Sequence, residues 1–463
     1  MVNIALELGK IVGKSNVIDS REDVRPFSVD KSYLQGALPV AVVKPRSAVQ
    51  ISKIMKFCNK KRVNVVVRGG GSALTGSSVP IKNTVVMDMS GFGRILEVHI
   101  DDQYAVVEPG VTVDELNNRL AKLNYLYPPE PASSRIASIG GTISTNAGGM
   151  RAVMYGSTKN WILGLEVVLP TGEIIKTGGR TLKRSVGYDL TALFVGSEGT
   201  LGIITKAIVK IVPKPGAIGK IAAYYTRVDE AVSAVERLKH AGMPLIGAEL
   251  VDRSSVDMLR AYNKLELPNA TNCMLMIDIA STPESLERMM ELAEALLRKS
   301  NPIGIEEPKS KARIESLYHA RKELFNTAIE VGKRTGRSVF ISDVIVPTSK
   351  LPKTISEINA ELKKHDLEVQ LFSHIGDGNI HVNIIADKKT ELDKVEKLLD
   401  SFAEIALNHQ GSVSGEHGIG IEKKKLMIKE LKKRGSMIEL QIMKKMKKAL
   451  DPNGILNKGK IFD

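Results

Sequence analysis

The sequence predicts an α+β protein. It divides into an N-terminal domain over 1–215, a second α+β domain over 216–420 built on an antiparallel sheet, and a C-terminal helical segment over 421–463. Three observations carry this. A strand–helix–strand pattern over 41–68 runs into a loop with almost no side chains, Arg68-Gly69-Gly70-Gly71-Ser72-Ala73-Leu74-Thr75-Gly76. Strands alternating with long helices begin after the Pro/Gly-rich PKPGAIG at 213–219. Basic amphipathic helices close the chain.

Residues 1–34 read as helix and irregular lead-in, and 41–45 as a short strand. Over 49–60, Ile51, Ile54, Met55 and Cys58 fall at i, i+3, i+4 and i+7, the apolar face of a helix. The β-branched run at 63–68 is a buried strand feeding the glycine loop. Strands follow at 84–89, 95–100 and 104–108, then a helix at 113–123. Residues 139–149 hold four glycines in eleven residues. A stretch so bare costs conformational entropy on folding, which close approach of a bulky ligand would offset. A second small-residue segment, 195–204, leads into a β-rich run to Val212. Beyond the 213–219 boundary, strands are expected at 221–226, 245–251, 273–279 and 339–346, and helices at 284–298, 312–330, 349–364 and 392–408. One face of the sheet is expected to be covered.

A loop such as 68–76 lets backbone N–H groups close on an anion, typically phosphate, because its glycines carry no Cβ to block the approach. It is not a P-loop: Gly71 and Gly76 have the spacing, but Ser77 stands where lysine is required. Nor is it the dinucleotide fingerprint, since Leu74 occupies the third glycine position and Ser77-Ser78-Val79-Pro80 is a poor helix start.

The 463 residues are 43% hydrophobic, ample for a large core, and no apolar run approaches the ~20 residues that span a bilayer. MVNIALELGKIVGKS is too charged for a signal peptide, so a soluble, cytoplasmic protein is expected. Cys58 and Cys273 have no cluster spacing, which excludes an iron–sulfur or cysteine–zinc centre. Net charge is +14, and the stretch from Lys423 onward has thirteen Lys/Arg against four Asp/Glu. Ile438, Ile442, Met446 and Leu450 recur every four residues among its lysines, as in a helix docked by that stripe with its lysine face in solvent. Peripheral contact with an anionic membrane, or with an acidic electron-transfer partner, is the functional alternative. At 4% aromatics, with no recognition motif, nucleic-acid binding is not expected.

A second chemical site lies in Phe372-Ser373-His374-Ile375-Gly376-Asp377-Gly378-Asn379-Ile380-His381. Asp-Gly is a strong two-residue hairpin signal. Turning there would set His374 directly opposite His381, close enough to share a divalent metal. Ser414-Gly415-Glu416-His417-Gly418 adds a candidate carboxylate ligand, Glu416, and a candidate base, His417. Two histidines and one carboxylate leave positions open for substrate. The alternative is a pair of histidines satisfied on a hairpin.

Taken together, VVVRGGGSALTGSSVP, VEPGV, PPEPASS, IGGTISTNAGGMRAVMYGST, GYDLTALFVGSEGTLGIIT, FSHIGDGNIHVNI, VSGEHGIG and DPNGILNKGKIF resemble the vanillyl-alcohol oxidase/p-cresol methylhydroxylase flavoproteins. Within them the chain is similar to the D-lactate, glycolate and D-2-hydroxyglutarate dehydrogenase branch. The resemblance covers about residue 27 to the end. It implies a two-subdomain FAD-binding domain and an α+β cap that holds substrate. FAD would have its pyrophosphate on Arg68–Gly76 and its ribityl and isoalloxazine lined by Pro131, Ser133, Ser138, Gly140, Gly141, Ser144, Asn146 and Ala147. Glu198, Gly202 and Ile204 would border the adenine side, and the C-terminal segment with Asn457 would return to the flavin domain. Loop 68–76 has no histidine for covalent attachment, so FAD is expected to be noncovalent.

The resemblance further implies that His374, His381 and Glu416 bind zinc or manganese, that His417 is the base, and that Arg321 in HARKELF holds the substrate carboxylate. The implied reaction is oxidation of a D-2-hydroxy acid. A metal on the hydroxyl lowers its pKa, histidine takes the proton, and a hydride passes to the flavin. Where the hydroxyglutarate branch has a threonine and a lysine for a second carboxylate, this chain has Phe325 and Ile341. Apolar residues cannot pair a buried carboxylate, which favours D-lactate or another short or apolar acid. A quinone, a cytochrome or an electron-transfer flavoprotein would accept the electrons, and a homodimer is compatible with the family. A polyol or sugar oxidase and a glycolate oxidase subunit are the alternatives. The redox-neutral flavin transferases of ether-lipid synthesis carry a histidine run that is absent here.

Overall fold

The computed structural model describes residues 3–462; Met1, Val2 and Asp463, which belong to the lead-in and tail discussed above, lie outside the described residues. The chain forms two compact units. The first comprises residues 1–148, 157–214 and 416–463, and the second comprises 149–156 and 215–415.

In the first unit, Ser47 caps the Ala48–Lys61 helix by accepting the Gln50 N–H. Its Ile51, Ile54, Met55 and Cys58 are all buried, packed with Ala41, Val43, Val65, Val85 and Met87. The helix returns the chain so that Ala41–Val43 and Asn64–Arg68 both run parallel to Thr84–Asp88. A second sheet, antiparallel throughout, has the order Ile95–His99, Tyr104–Val107, Ile203–Lys210, Ile162–Val168, Ile174–Gly178. These two sheets are the expected two subdomains. The C-terminal segment joins the first of them. Leu456 bridges Val65, and the Asn457 N–H donates to Val65 O at 2.8 Å.

The apolar stripe of the last helix does not dock as expected. In Met437–Leu450, Ile438 is 59% and Ile442 50% exposed, while Leu440 is buried with Met427 and Leu431. A repeat of four overshoots each 3.6-residue turn by about 40°, so the stripe winds off any single face. Among the described residues no helix is long and apolar enough to cross a membrane.

The second unit is a seven-stranded antiparallel sheet of order Gly304–Glu306, Ala217–Tyr225, Cys273–Ser281, Leu245–Val251, Glu368–His374, Asn379–Ala386, Ser338–Ile345. It is covered on both faces, not one. Ala222, Tyr224, Met274, Met276 and Phe372 pack against Val256, Leu259, Leu317, Ala320 and Leu324 of three helices. On the opposite side, a Cβ on Gly219 would strike Met290 and Leu286 of the Leu286–Arg298 helix. Leu245–Val251 and Asn379–Ala386 are accordingly buried at every position. The helix expected over 312–330 is two, Lys311–Lys322 and Leu324–Thr335, broken at Glu323 with no glycine or proline to mark it.

The hairpin register also differs. His374 pairs with Asn379 and Phe372 with His381, so the turn is four residues, 375–378, rather than two. His374 O accepts the N–H groups of both Asp377 and Gly378, and Gly378 takes φ +97°. The shift is an even number of residues, so both histidines stay on one face of the sheet.

Asp252 caps the Arg253–Asn263 helix and is buried, which pushes its carboxyl up to about 6 despite bonds from Ser254 and Ser255. A carboxyl raised above its unfolded value stabilises fully below that value and loses the contribution as pH rises through about 6. Asparagine caps equally well without the charge. Asp252→Asn is therefore expected to raise the melting temperature more at pH 8 than at pH 5; equal shifts at both would refute the buried charge as the cause.

Candidate active site

The first unit carries the glycine loop. Among the described residues, no backbone N–H from Gly70 to Gly76 donates to another group of the chain. Seven consecutive N–H groups without a partner among the described residues, with Gly71 and Gly76 at positive φ, suit an anion such as a pyrophosphate. The glycines also answer to a neighbour. A Cβ on Gly69 would meet Ser138 Oγ at 2.2 Å, and one on Gly70 would meet Ile136 O at 1.6 Å. The Arg68 guanidinium folds back against Gly71, where a would-be Cβ lies 2.7 Å from Cζ, donates to Val29 O at 2.5 Å and lies over Phe27.

The bare stretch that follows is mostly helix, Ile139–Thr145. Ser138 caps it by accepting the Gly141 N–H, and Asn146 ends it in the left-handed region. Gly140 is bare because a Cβ there would meet that of Pro109 at 2.6 Å. Ser144 Oγ donates to Gly140 O. Asn146 Oδ1 accepts Ser157 Oγ–H and the Lys159 N–H, and Ala147 O accepts from Thr158. Pro131 O and Ser133 O close the turns that lead into it. Gly202 is demanded by Val167, whose Cγ1 lies 2.4 Å from a would-be Cβ, and Ile204 pairs with Val167.

Glu198 is buried, with φ +49°. Its carboxylate accepts the N–H groups of Ile419 at 2.7 Å and Gly420 at 2.8 Å. Its main-chain oxygen accepts Asn457 Nδ2, whose Oδ1 accepts the Val67 N–H. Burial pushes Glu198 up to about 7, opposed by those N–H bonds and by Lys460 and Lys423. Glu416 and His417 open the segment that re-enters this unit, with His417 Nε2 3.6 Å from Glu416 Oε1. Thr75 Oγ donates to His417 O, and Thr75 O accepts the Ile421 N–H.

The second unit brings His374, His381 and Arg321 onto one face of its sheet. Alternation along each strand puts Glu249, Phe372, His374, His381 and Asp343 on that face, with Arg321 reaching it from the Lys311–Lys322 helix. The His374 and His381 rings meet edge-on with centroids 5.2 Å apart. His374 Nδ1 lies 2.6 Å from one oxygen of Glu249, and Arg321 pairs with the other. Both members of that ion pair are buried. Burial alone would raise the Glu249 carboxyl, but Arg321 and His374 together hold it below the usual range. Arg321 also stacks on Phe372 at 4.4 Å. Across the face, Asp343 lies 3.9 Å from His381 Nδ1 and accepts from Asn379 Nδ2 and Ser414 Oγ.

Three buried polar atoms on this face have no hydrogen-bond partner among the described residues: Arg321 Nε, Asn379 Oδ1 and Asn383 Oδ1. Buried polar groups are nearly always bonded to protein, ordered water or a ligand, so these atoms leave room for a further partner on this face. Glu249, Asp343 and Asn379 escaped the sequence reading. The available signal for Glu249 was a carboxylate inside an otherwise apolar strand, which must find a partner once buried.

An FAD-binding domain model matches residues 39–178, and the model of the C-terminal domain of FAD-linked oxidases matches 215–461. The chain belongs to the FAD-linked oxidases. Glycolate oxidase subunit GlcD of Bacillus subtilis (strain 168) is 35% identical over 458 residues, 98% of this chain and 96% of that protein. The mitochondrial D-lactate dehydrogenase [cytochrome] of Arabidopsis thaliana is 34% identical over 456 residues, 95% of this chain and 78% of that one. p-Cresol methylhydroxylase with substrate bound shares the fold at a TM-score of 0.80 and 18% identity, over 99% of this chain and 96% of that one. This FAD-linked oxidase is thus a flavoprotein oxidoreductase of the glycolate oxidase/D-lactate dehydrogenase type within the vanillyl-alcohol oxidase/p-cresol methylhydroxylase superfamily, and the glycine loop at Gly70–Gly76 fits its cofactor.

Proposed function

We propose that the protein oxidises a short D-2-hydroxy acid, D-lactate to pyruvate being the best fit, and passes the electrons to an acceptor other than a nicotinamide. The observation that carries this reading is the buried Arg321, with its open Nε, beside the paired imidazoles of His374 and His381. A 2-hydroxy acid presents an anion and a hydroxyl on adjacent carbons, and this face offers a cation and two metal ligands at matching short range.

Arg321 holds the carboxylate and His417 takes the hydroxyl proton. His374 and His381 present a donor set that suits Zn or Mn, with Glu416 as third ligand on the strength of the family motif. Glu249, on His374 Nδ1, leaves Nε2 as the ligand atom. When bound, the noncovalent FAD supplies the hydride acceptor and the cation lowers the hydroxyl pKa. Phe325 and Ile341 offer nothing to a second carboxylate. The acceptor is a quinone, a cytochrome or an electron-transfer flavoprotein, a choice supported by the lysine-rich C-terminal end. Glycolate is the second reading, favoured by the similarity to a glycolate oxidase subunit.

Anaerobic stopped flow of metal-replete protein tests this through bleaching of the oxidised flavin band. D-lactate or glycolate should bleach it fast, and L-lactate should not. D-2-hydroxyglutarate should be at least about a hundredfold poorer, since its second carboxylate would be buried unpaired. Chelation should abolish the reaction. Flavin that no 2-hydroxy acid reduces would sink the proposal and favour a polyol oxidase or a non-catalytic subunit.

A further inference from the structure

We propose that Glu198 is the positioning residue of the loop that carries His417, holding its main chain through the N–H groups of Ile419 and Gly420. The bonds are 2.7 and 2.8 Å long and converge on one carboxylate, whose two oxygens take one donor each. Glu198 is itself fixed on both main-chain sides: its N–H donates to Ser144 O at 2.7 Å, and its O accepts Asn457 Nδ2 at 2.6 Å. A non-glycine residue at φ +49° persists only where its surroundings over-determine it, and here they do.

The loop needs such a hold. Gly418 and Gly420 both take positive φ, so the segment beyond His417 has little stiffness of its own. A Cβ on Gly418 would meet Glu198 Oε1 at 2.9 Å, and one on Gly420 would meet Thr75 O at 2.1 Å. The turn is clasped between Glu198 on one side and Thr75, the last residue before Gly76 of the nucleotide loop, on the other. Glu198 acts through the loop: its bonds to Ile419 and Gly420 set where the His417 main chain stands relative to loop 68–76. The catalytic consequence rests on His417 being the base of the proposed function, whereas the clasp does not.

The test compares wild-type holoenzyme with Glu198→Gln, which is isosteric and keeps one good acceptor, and Glu198→Ala, which keeps none. Hydrogen exchange at the Ile419 and Gly420 amides, compared at equal flavin occupancy, should accelerate about tenfold or more in Glu198→Ala and less in Glu198→Gln. The rate constant of flavin reduction by D-lactate should fall about tenfold to a hundredfold, while the substrate concentration at half-saturation moves little. Unchanged exchange in both variants overturns the clasp. Accelerated exchange with an unchanged reduction rate overturns the positioning role, and loss of flavin from Glu198→Gln reassigns the residue to cofactor binding. Accelerated exchange in a protein whose wild type reduces with no 2-hydroxy acid supports the clasp and overturns the proposed function alone.

Discussion

Glu249→Gln is expected to weaken binding of zinc or manganese by about ten- to a hundredfold, the usual cost of losing the partner that orients a ligating imidazole. The same change should destabilise the protein by about 3–5 kcal/mol, because it leaves the Arg321 guanidinium buried without its counter-charge. The two effects share one cause: a single carboxylate lies against His374 Nδ1 and pairs with Arg321, and both sides of the ion pair are shielded from water. Glutamine can accept from one of these donors but must turn its own NH2 toward the other. Competition with a chromogenic chelator reads the first effect and urea denaturation of the metal-free protein the second. Metal affinity and denaturation midpoint both equal to wild type would show that Glu249 neither orients nor balances anything. Lower stability with unchanged affinity would confine its role to Arg321.

Gly70→Ala should yield a protein that folds but is purified nearly free of FAD. A Cβ at this position lies 1.6 Å from Ile136 O, a main-chain atom, so no side-chain rotation relieves the overlap. Either the loop or the 133–137 turn must move, which displaces the open N–H groups from where they stand. Gly179→Ala is the control, since a Cβ there meets nothing within 4 Å. The ratio of flavin to protein absorbance after gel filtration is the measurement, with a loss of about a hundredfold in FAD affinity expected for Gly70→Ala and none for the control. A Gly70→Ala holoenzyme with full flavin content would place the pyrophosphate elsewhere.

How much of this was legible in the sequence varied with the range of the interaction. The Ala48–Lys61 helix and the strand feeding Arg68 follow from local periodicity, and they are found as read. The hairpin at 374–381 was misread in register, because Asp377-Gly378 marks a turn without saying how many residues share it. The error was harmless to the site, since a slip of two keeps both imidazoles on one face where a slip of one would have parted them. Glu249 pairs through space with residues 72 and 125 positions away, and no local pattern encodes that. Arg321 stood out only through the family resemblance, and its buried ion pair came with the structure. The stripe at Ile438 and Ile442 misled because a period of four imitates a helix face over two turns and leaves it over four.

The route of the chain has one more consequence. Having left at Lys214, it re-enters the first unit at Glu416, so His417 is built into the same body as the glycine loop, clasped by Thr75 and Glu198. Arg321, His374 and His381 belong to the other body. On the proposed function, the proton acceptor is carried with the unit of the glycine loop, and the groups proposed to recognise the substrate are carried apart from it. On that reading a change of substrate acid falls on residues 149–156 and 215–415, and the unit that carries the glycine loop keeps its own fold.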